Sequence, residues 1–245
     1  METADARNHL VTLYSNDPFL AEAVARFVGA ALGEGDGALV VATPPHWRRV
    51  RERLEESAFD VDAVVDRGQL VVLDAAETLQ ELLGSGLTDL GLAVGPRLAG
   101  IRAVTRRPRV RVFGEMVNLL WEGGEHAAAL RLEALWDALL SREAATLLCA
   151  YRSDPLSPDA DILDVARAHD RVVAAADGIR VLRGLERAVD EVLGPGRAAM
   201  LRVVVAAEHP SVREEGSAEL LVLWLRARMP KLGERVMVLA SRYAE

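Results

Sequence analysis

Five short apolar runs, separated by longer amphipathic stretches, set the pattern of the first two thirds of the chain. The runs are rich in Val and Leu and lack a clean alternation of apolar and polar positions, which is typical of strands covered on both faces. The predicted strands are residues 9–14, 38–43, 69–74, 109–113 and 146–151.

The stretches between these runs have helical periodicity. They predict helices over residues 18–32, 45–58, 75–83, 89–105 and 125–140. Pro18 and Pro45 suit the first turn of a helix, where a missing N–H costs little. Strand and helix therefore alternate, which predicts a three-layer α/β sandwich with a mainly parallel central sheet.

The pattern changes after about Asp177, where only helices are predicted. Leu182, Leu185, Val189 and Val192 form one apolar seam on a helix, which the Gly-Pro-Gly segment 194–196 ends. Further helices are predicted over residues 197–207 and 217–228, and from Pro230 to about Tyr243. We therefore predict two domains: residues 1–177, and an all-helical C-terminal appendage over residues 178–245.

Composition excludes several classes of function. The net charge is −8 and no block of basic residues stands out, which argues against direct nucleic-acid binding and against anionic membranes. No apolar run approaches a membrane span and no signal segment is evident, so a cytoplasmic location is expected. The single lysine, Lys231, has the wrong neighbours for a phosphate-binding loop, so we expect nucleoside triphosphates to bind weakly or not at all.

Ligands of open parallel sheets bind beyond the carboxyl ends of the strands. The polar residues at those positions form the candidate ligand-binding site. They are Tyr14, Ser15, Asn16, His46, Asp74, Glu77, Glu115, Asn118, Tyr151 and Arg152. Each of them has an alternative role, since polar residues at strand ends also cap helices and satisfy loop backbone.

Glu115 is the most informative carboxylate of this set, because it follows a buried strand. We expect it to have either a raised pKa or an arginine partner, unless it merely occupies a helix N-terminus. Cys149 lies inside a strand and is expected to be inert packing, and His9 to be an ordinary residue at a strand end. The spacing of histidines and the single cysteine predict no metal site, and we expect no cofactor.

Several motifs occur in an order that resembles the MEDS family, the methanogen/methylotroph sensory domain found in a dichloromethane-responsive repressor. The motifs are His9-Leu-Val-Thr-Leu-Tyr14, Gln69-Leu-Val-Val-Leu-Asp74, Val112-Phe-Gly-Glu-Met116 with Leu120-Trp-Glu-Gly123, Leu132-Glu133 and Leu148-Cys-Ala-Tyr151. The resemblance covers roughly residues 7 to 175. It implies a RecA/KaiC-like domain that has lost its nucleotide motifs and senses small molecules.

We accordingly expect a non-enzymatic sensory protein that binds a small molecule. Two alternatives stay open. One is a divergent nucleotide hydrolase or transferase with Glu115 as base and Arg152 on phosphate; the other is an anti-sigma or scaffold-type interaction module with a vestigial pocket. The helical appendage lacks a helix-turn-helix and kinase motifs. It is expected to form a homodimer through the apolar seam and the run 220–225, or to contact a regulatory protein.

Overall fold

The computed structural model describes residues 8–14, 16–87, 90–152, 162–172, 178–208 and 217–244. Its strands are β1 (His9–Tyr14), β2 (Gly37–Ala42), β3 (Leu70–Asp74), β4 (Val110–Gly114), β5 (Ala145–Arg152) and β6 (Arg171–Val172). The helices of the first part of the chain are α1 (Asp17–Glu34), α2 (Pro44–Glu56), α3 (Val61–Asp66), α4 (Ala75–Gly84), α5 (Leu90–Val104), α6 (Met116–Glu122) and α7 (His126–Leu140). Those that follow are α8 (Ile162–Arg167), α9 (Gly178–Leu193), α10 (Pro195–Glu208), α11 (Ser217–Arg228) and α12 (Pro230–Ala244).

The central sheet has the strand order β3-β2-β4-β5-β1-β6. Strand β2 pairs in parallel with β3 and with β4, and β4 pairs in parallel with β5. The register sets Val41 beside Gly114, and Gly114 beside Cys149. The carboxyl ends of β2, β4 and β5 therefore lie at the same edge of the sheet.

Helices cover both faces of the sheet, as strand β4 shows. Arg111 points to one face, where its guanidinium donates to the carbonyl oxygen of Phe27 in α1. Gly114 lies three residues on and belongs to the opposite face, where a Cβ would come within 3.5 Å of the Trp136 ring in α7. The predicted three-layer α/β class with C-terminal helices is confirmed.

Capping residues fix where several helices begin. The side chains of Asn16, Asp60 and Asp74 accept backbone N–H bonds at the starts of α1, α3 and α4. Pro18 and Pro45 lie in the first turns of α1 and α2, as predicted. The five predicted strands and the predicted helices are present with small shifts of their ends, although Asp89, the first residue predicted for α5, lies outside the described residues.

Four short elements were not predicted: α3, α6, α8 and β6. Three of them are helices of six or seven residues and the fourth is a two-residue strand. Elements of this length contain at most two turns of a helix or one pair of strand positions, so hydrophobic periodicity does not develop in them. Helix α6 begins directly after Glu115, one of the candidate site residues.

Two compact units divide the chain. The first contains Met1–Leu10 and Asn16–Arg152, and the second contains Val11–Ser15 and Ser153–Glu245. The predicted division at residue 177 stays a prediction. In the second unit the apolar run near Leu220 is largely buried within the single chain: Leu221 and Trp224 are at most 7% exposed and Leu225 is fully covered. Self-association through this run also stays a prediction.

Among the residues that the structure describes, no helix is long and apolar enough to cross a membrane.

Candidate functional site

A group of polar side chains meets at the carboxyl edge of the sheet, and Glu115 is at its centre. Glu115 follows β4 directly, and its side chain is 1% exposed. One carboxylate oxygen accepts the backbone N–H of Thr43, at the end of β2. The other lies 2.5 Å from Nδ1 of His46 in α2. The partner of Glu115 is therefore a histidine and not the arginine that the sequence offered.

His46 is held between two carboxylates. Its Nδ1 contacts Glu115, and its Nε2 lies 3.5 Å from Oδ1 of Asp17, the first residue of α1. The hydrogen bond to Glu115 raises the pKa of His46 above its ordinary value of 6.5, and this effect outweighs the opposing effect of burial. The His46 side chain is 13% exposed, so it keeps some contact with solvent.

Arg152, at the end of β5, also binds Asp17. Its Nη2 donates to Oδ1 of Asp17, and its Nε lies 3.1 Å from a carboxylate oxygen of Glu122 in α6. The Arg152 hydrogen bond lowers the pKa of Asp17, with His46 adding to the effect and partial burial opposing it. Asp17 thus bridges the two cationic side chains of the site.

Asn118 holds the end of β5 against α6. Its side-chain oxygen accepts the backbone N–H of Arg152 at 2.7 Å, and its side-chain nitrogen donates to Glu122 at 3.1 Å. Asn118 is 2% exposed, so its hydrogen bond holds the backbone of Arg152 in a fixed position. We call this group the edge cluster. Its members are Asp17, His46, Glu115, Asn118, Glu122 and Arg152.

Four of the ten predicted site residues thus meet in the edge cluster: His46, Glu115, Asn118 and Arg152. Three others act at helix starts. Asn16 and Asp74 cap α1 and α4, and Glu77 is exposed in the first turn of α4. Tyr14 ends β1 and is buried. Ser15 lies outside the described residues.

Tyr151 belongs to a different cluster, because successive residues of a strand point to opposite faces. Its hydroxyl donates to Oε1 of Glu133 at 2.6 Å. Oε2 of Glu133 lies 3.1 Å from Nε2 of His9 and 3.3 Å from Sγ of Cys149, and Nδ1 of His9 contacts Asp137 at 2.8 Å. We call this group the buried cluster. Its members are His9, Glu133, Asp137, Cys149 and Tyr151.

The buried cluster departs from two sequence expectations. Burial lowers the pKa of His9, but hydrogen bonds to Asp137 and Glu133 outweigh it and raise the pKa to about 9, so His9 is an imidazolium and more than an ordinary strand-end residue. Cys149 is buried, as predicted, but its thiol donates to Glu133. Burial, reinforced by the Glu133 charge, raises the pKa of both the Cys149 thiol and the Tyr151 hydroxyl.

Sequence reasoning missed Asp17 and Glu122 in the edge cluster. Asp17 lies in the first turn of α1, where an acidic residue is usually explained by the helix dipole. Glu122 lies in α6, a helix that hydrophobic periodicity did not predict. Asp137 was missed in the buried cluster, since it is a partly exposed residue of α7. Only the sheet register and helix packing bring these three residues to their partners.

Comparison with known families places this chain. The profile of the MEDS family, described as the methanogen/methylotroph, DcmR sensory domain, matches residues 8–170. This chain belongs to the MEDS family. The match confirms the predicted resemblance over nearly the same span and contains both clusters. A search of curated proteins found no match.

Proposed function

We propose that this MEDS protein is a non-enzymatic sensor that binds a small molecule at the edge cluster. The family is of the sensory type. The observation that supports the location is the convergence of His46, Glu115 and Arg152, which come from three different segments, at the carboxyl edge of a parallel sheet. Ligands of such sheets bind at that edge.

The contacts of Asp17 indicate the class of ligand. Its carboxylate lies against both His46 and Arg152, the two cationic groups of the edge cluster. A small ligand with a carboxylate, carbonyl or hydroxyl oxygen would make the same hydrogen bonds and displace Asp17 from them. Glu115 and Asn118 would keep His46 and Arg152 in place during this exchange, because both are almost fully buried.

Displacement of Asp17 also supplies a signal. Asp17 is the first residue of α1, so its two cationic contacts tie the start of that helix to the start of α2 and to the end of β5. Ligand binding would release this tie and alter the start of α1. The altered start of α1 would change the binding of a regulatory protein, or of a second copy of the chain bound through its C-terminal helices. We expect no direct contact with nucleic acid.

The contacts of Arg152 favour a sensor over the phosphate-handling enzyme. In that alternative the guanidinium would bind phosphate, whereas here it is neutralised by Asp17 and Glu122. A nucleoside triphosphate would also meet the acidic charges of both residues. We therefore expect calorimetry with ATP and magnesium to give no dissociation constant in the micromolar range; low-micromolar binding that requires magnesium would favour the enzyme.

The test of the sensor is a thermal-shift screen of the full chain with small alcohols, amides, carbonyl compounds and carboxylates. Compounds that raise the unfolding temperature are then titrated against variants. Arg152→Gln should abolish the shift. Arg51→Gln is the matched control, since Arg51 is 37% exposed against 39% for Arg152 and also contacts two acidic residues.

Asp17→Asn should act in the opposite direction. Removing the competing carboxylate should tighten ligand binding by up to about fivefold, the equivalent of about 1 kcal/mol for a part-exposed ion pair. Asp62→Asn removes an aspartate partner of Arg51 and should leave the affinity unchanged. If no compound in the panel shifts the wild type, or if Arg152→Gln and Arg51→Gln bind equally well, the edge cluster is not the sensory site.

A further inference from the structure

The buried cluster is not part of the proposed ligand-binding site, and its donor atoms have a geometry of their own. Three different donor types face one another in it: Nε2 of His9, Oε2 of Glu133 and Sγ of Cys149. All three atoms lie within 4.8 Å of one another, and the three residues are at most 1% exposed. Imidazole, carboxylate and thiolate are the ligands that zinc takes in proteins.

The separations of these atoms match the edges of a tetrahedral site. Metal–ligand distances of about 2.0–2.3 Å at tetrahedral angles place neighbouring ligand atoms about 3.4–3.6 Å apart. The observed separations are 3.1 Å for nitrogen to oxygen, 3.3 Å for sulfur to oxygen and 3.5 Å for sulfur to nitrogen. A bound ion would need the side chains to move apart by only about 0.3 Å.

The outer hydrogen bonds orient the same three atoms. Nδ1 of His9 contacts the Asp137 carboxylate, which turns Nε2 towards Cys149 and Glu133. The Tyr151 hydroxyl holds Oε1 of Glu133, which turns Oε2 towards the same point. A metal-ligating histidine usually donates its other ring N–H to a carboxylate or carbonyl oxygen. A metal-ligating carboxylate is in turn hydrogen-bonded by a neighbouring group.

Charge balance also allows an ion at this buried position. As metal ligands, a neutral imidazole, a carboxylate and a thiolate together carry a charge of −2, which a divalent ion offsets. The proton of the Cys149 thiol would go to solvent when the ion binds. The three side chains and the ion together would therefore be neutral in the interior.

We propose that His9, Glu133 and Cys149 form a binding site for a divalent transition metal ion of the zinc class, positioned by Asp137 and Tyr151. The three residues supply three ligands of a tetrahedral ion, and one further donor completes it. The cluster adds a metal-dependent element to the MEDS domain, separate from the edge cluster. The competing interpretation is a hydrogen-bonded ion pair without a metal.

The test is metal analysis of the full chain. Because the site is buried, the protein is refolded with Zn²⁺ or with Co²⁺, freed of loose metal by a weak chelator, and measured by elemental analysis and absorption spectroscopy. We expect one ion per chain. The Co²⁺ form should show a near-ultraviolet thiolate-to-cobalt band and the intense visible bands of a tetrahedral ion. Cys149→Ser should remove the near-ultraviolet band.

Asp137→Asn tests the supporting shell without changing a ligand. Asp137 is 41% exposed, so the variant should fold, and it should bind the ion about 10- to 100-fold more weakly. Asp62→Asn, at an exposed aspartate paired with Arg51, is the control and should bind as the wild type does. Wild-type protein that folds but retains no stoichiometric ion, or a Co²⁺ spectrum unaltered by Cys149→Ser, would refute the metal site and leave the ion pair.

Discussion

The edge cluster and the buried cluster use the same central pair in different surroundings. Each contains a histidine bonded to a glutamate that is 1% exposed, and a second carboxylate from an aspartate contacts the other nitrogen of the histidine. In the buried cluster the histidine is as closed to solvent as the glutamate. In the edge cluster the histidine is 13% exposed, and Arg152 contacts the same aspartate as the histidine does.

The difference shows how burial limits what each cluster can do. A cationic ring that keeps contact with solvent can exchange one oxygen partner for another, as ligand binding requires. A ring enclosed with a thiol and a carboxylate cannot exchange partners with solvent at low cost, so that cluster favours a fixed role such as metal retention or stabilisation.

Glu133→Gln should be the most damaging of the conservative changes. It removes one of the two carboxylates that compensate the buried His9 charge, and breaking a buried pair costs about 3–5 kcal/mol. Glu115→Gln should cost less, about 1–3 kcal/mol, because His46 is partly hydrated. Urea denaturation of metal-free protein measures both free energies of unfolding. Equal losses of free energy of unfolding, or a greater loss for Glu115→Gln, would show that burial does not distinguish the two histidine–glutamate pairs.

His46 should make the stability of the protein depend on pH. Its pKa in the folded protein is raised above the ordinary value of 6.5, so its stabilising contribution is complete below about pH 6.5 and is lost as the pH rises through the folded value. The wild type should therefore lose more free energy of unfolding than His46→Gln between about pH 6 and pH 9. A difference between the two proteins that stays constant over this range would show that His46 does not titrate as described.

Arg152→Gln should have the smallest effect on stability. Its ion pairs are part-exposed, and such pairs contribute about 0–1 kcal/mol. Arg51→Gln should have a similar effect, so the two variants should unfold at nearly the same urea concentration while differing in ligand response. A loss above about 2 kcal/mol for Arg152→Gln alone would show that Arg152 is a structural residue.

The sequence predicts the sheet well, because five Val- and Leu-rich runs carry the signal of strands buried on both faces. It also predicts that His46, Glu115, Asn118 and Arg152 are functional candidates, because each follows a strand end or starts a helix there. It does not predict which of ten such residues come together. Asp74 and Asn16 have the same local signal but cap helices.

The buried cluster could not be found from spacing. His9, Glu133 and Cys149 lie far apart in the sequence, and each alone is explained by packing: a strand-end histidine, a helix glutamate and a strand cysteine. Only the register of β5 and the docking of α7 bring them within bonding distance. Metal motifs recognised from sequence place their ligands at short, fixed spacings, which these three residues do not have.

A ¹H–¹⁵N spectrum of the full chain, titrated with a compound from the thermal-shift panel, tests most directly whether the edge cluster binds the ligand. Two backbone amides report on the edge cluster, since the N–H of Thr43 donates to Glu115 and the N–H of Arg152 donates to Asn118. Leu147 is the internal reference, because its N–H donates to Asn8 near the start of β1. We predict large, saturable shifts for Thr43 and Arg152 with little change at Leu147. Shifts that are largest at Leu147, with Thr43 and Arg152 unmoved, would show that the ligand does not bind at the edge cluster.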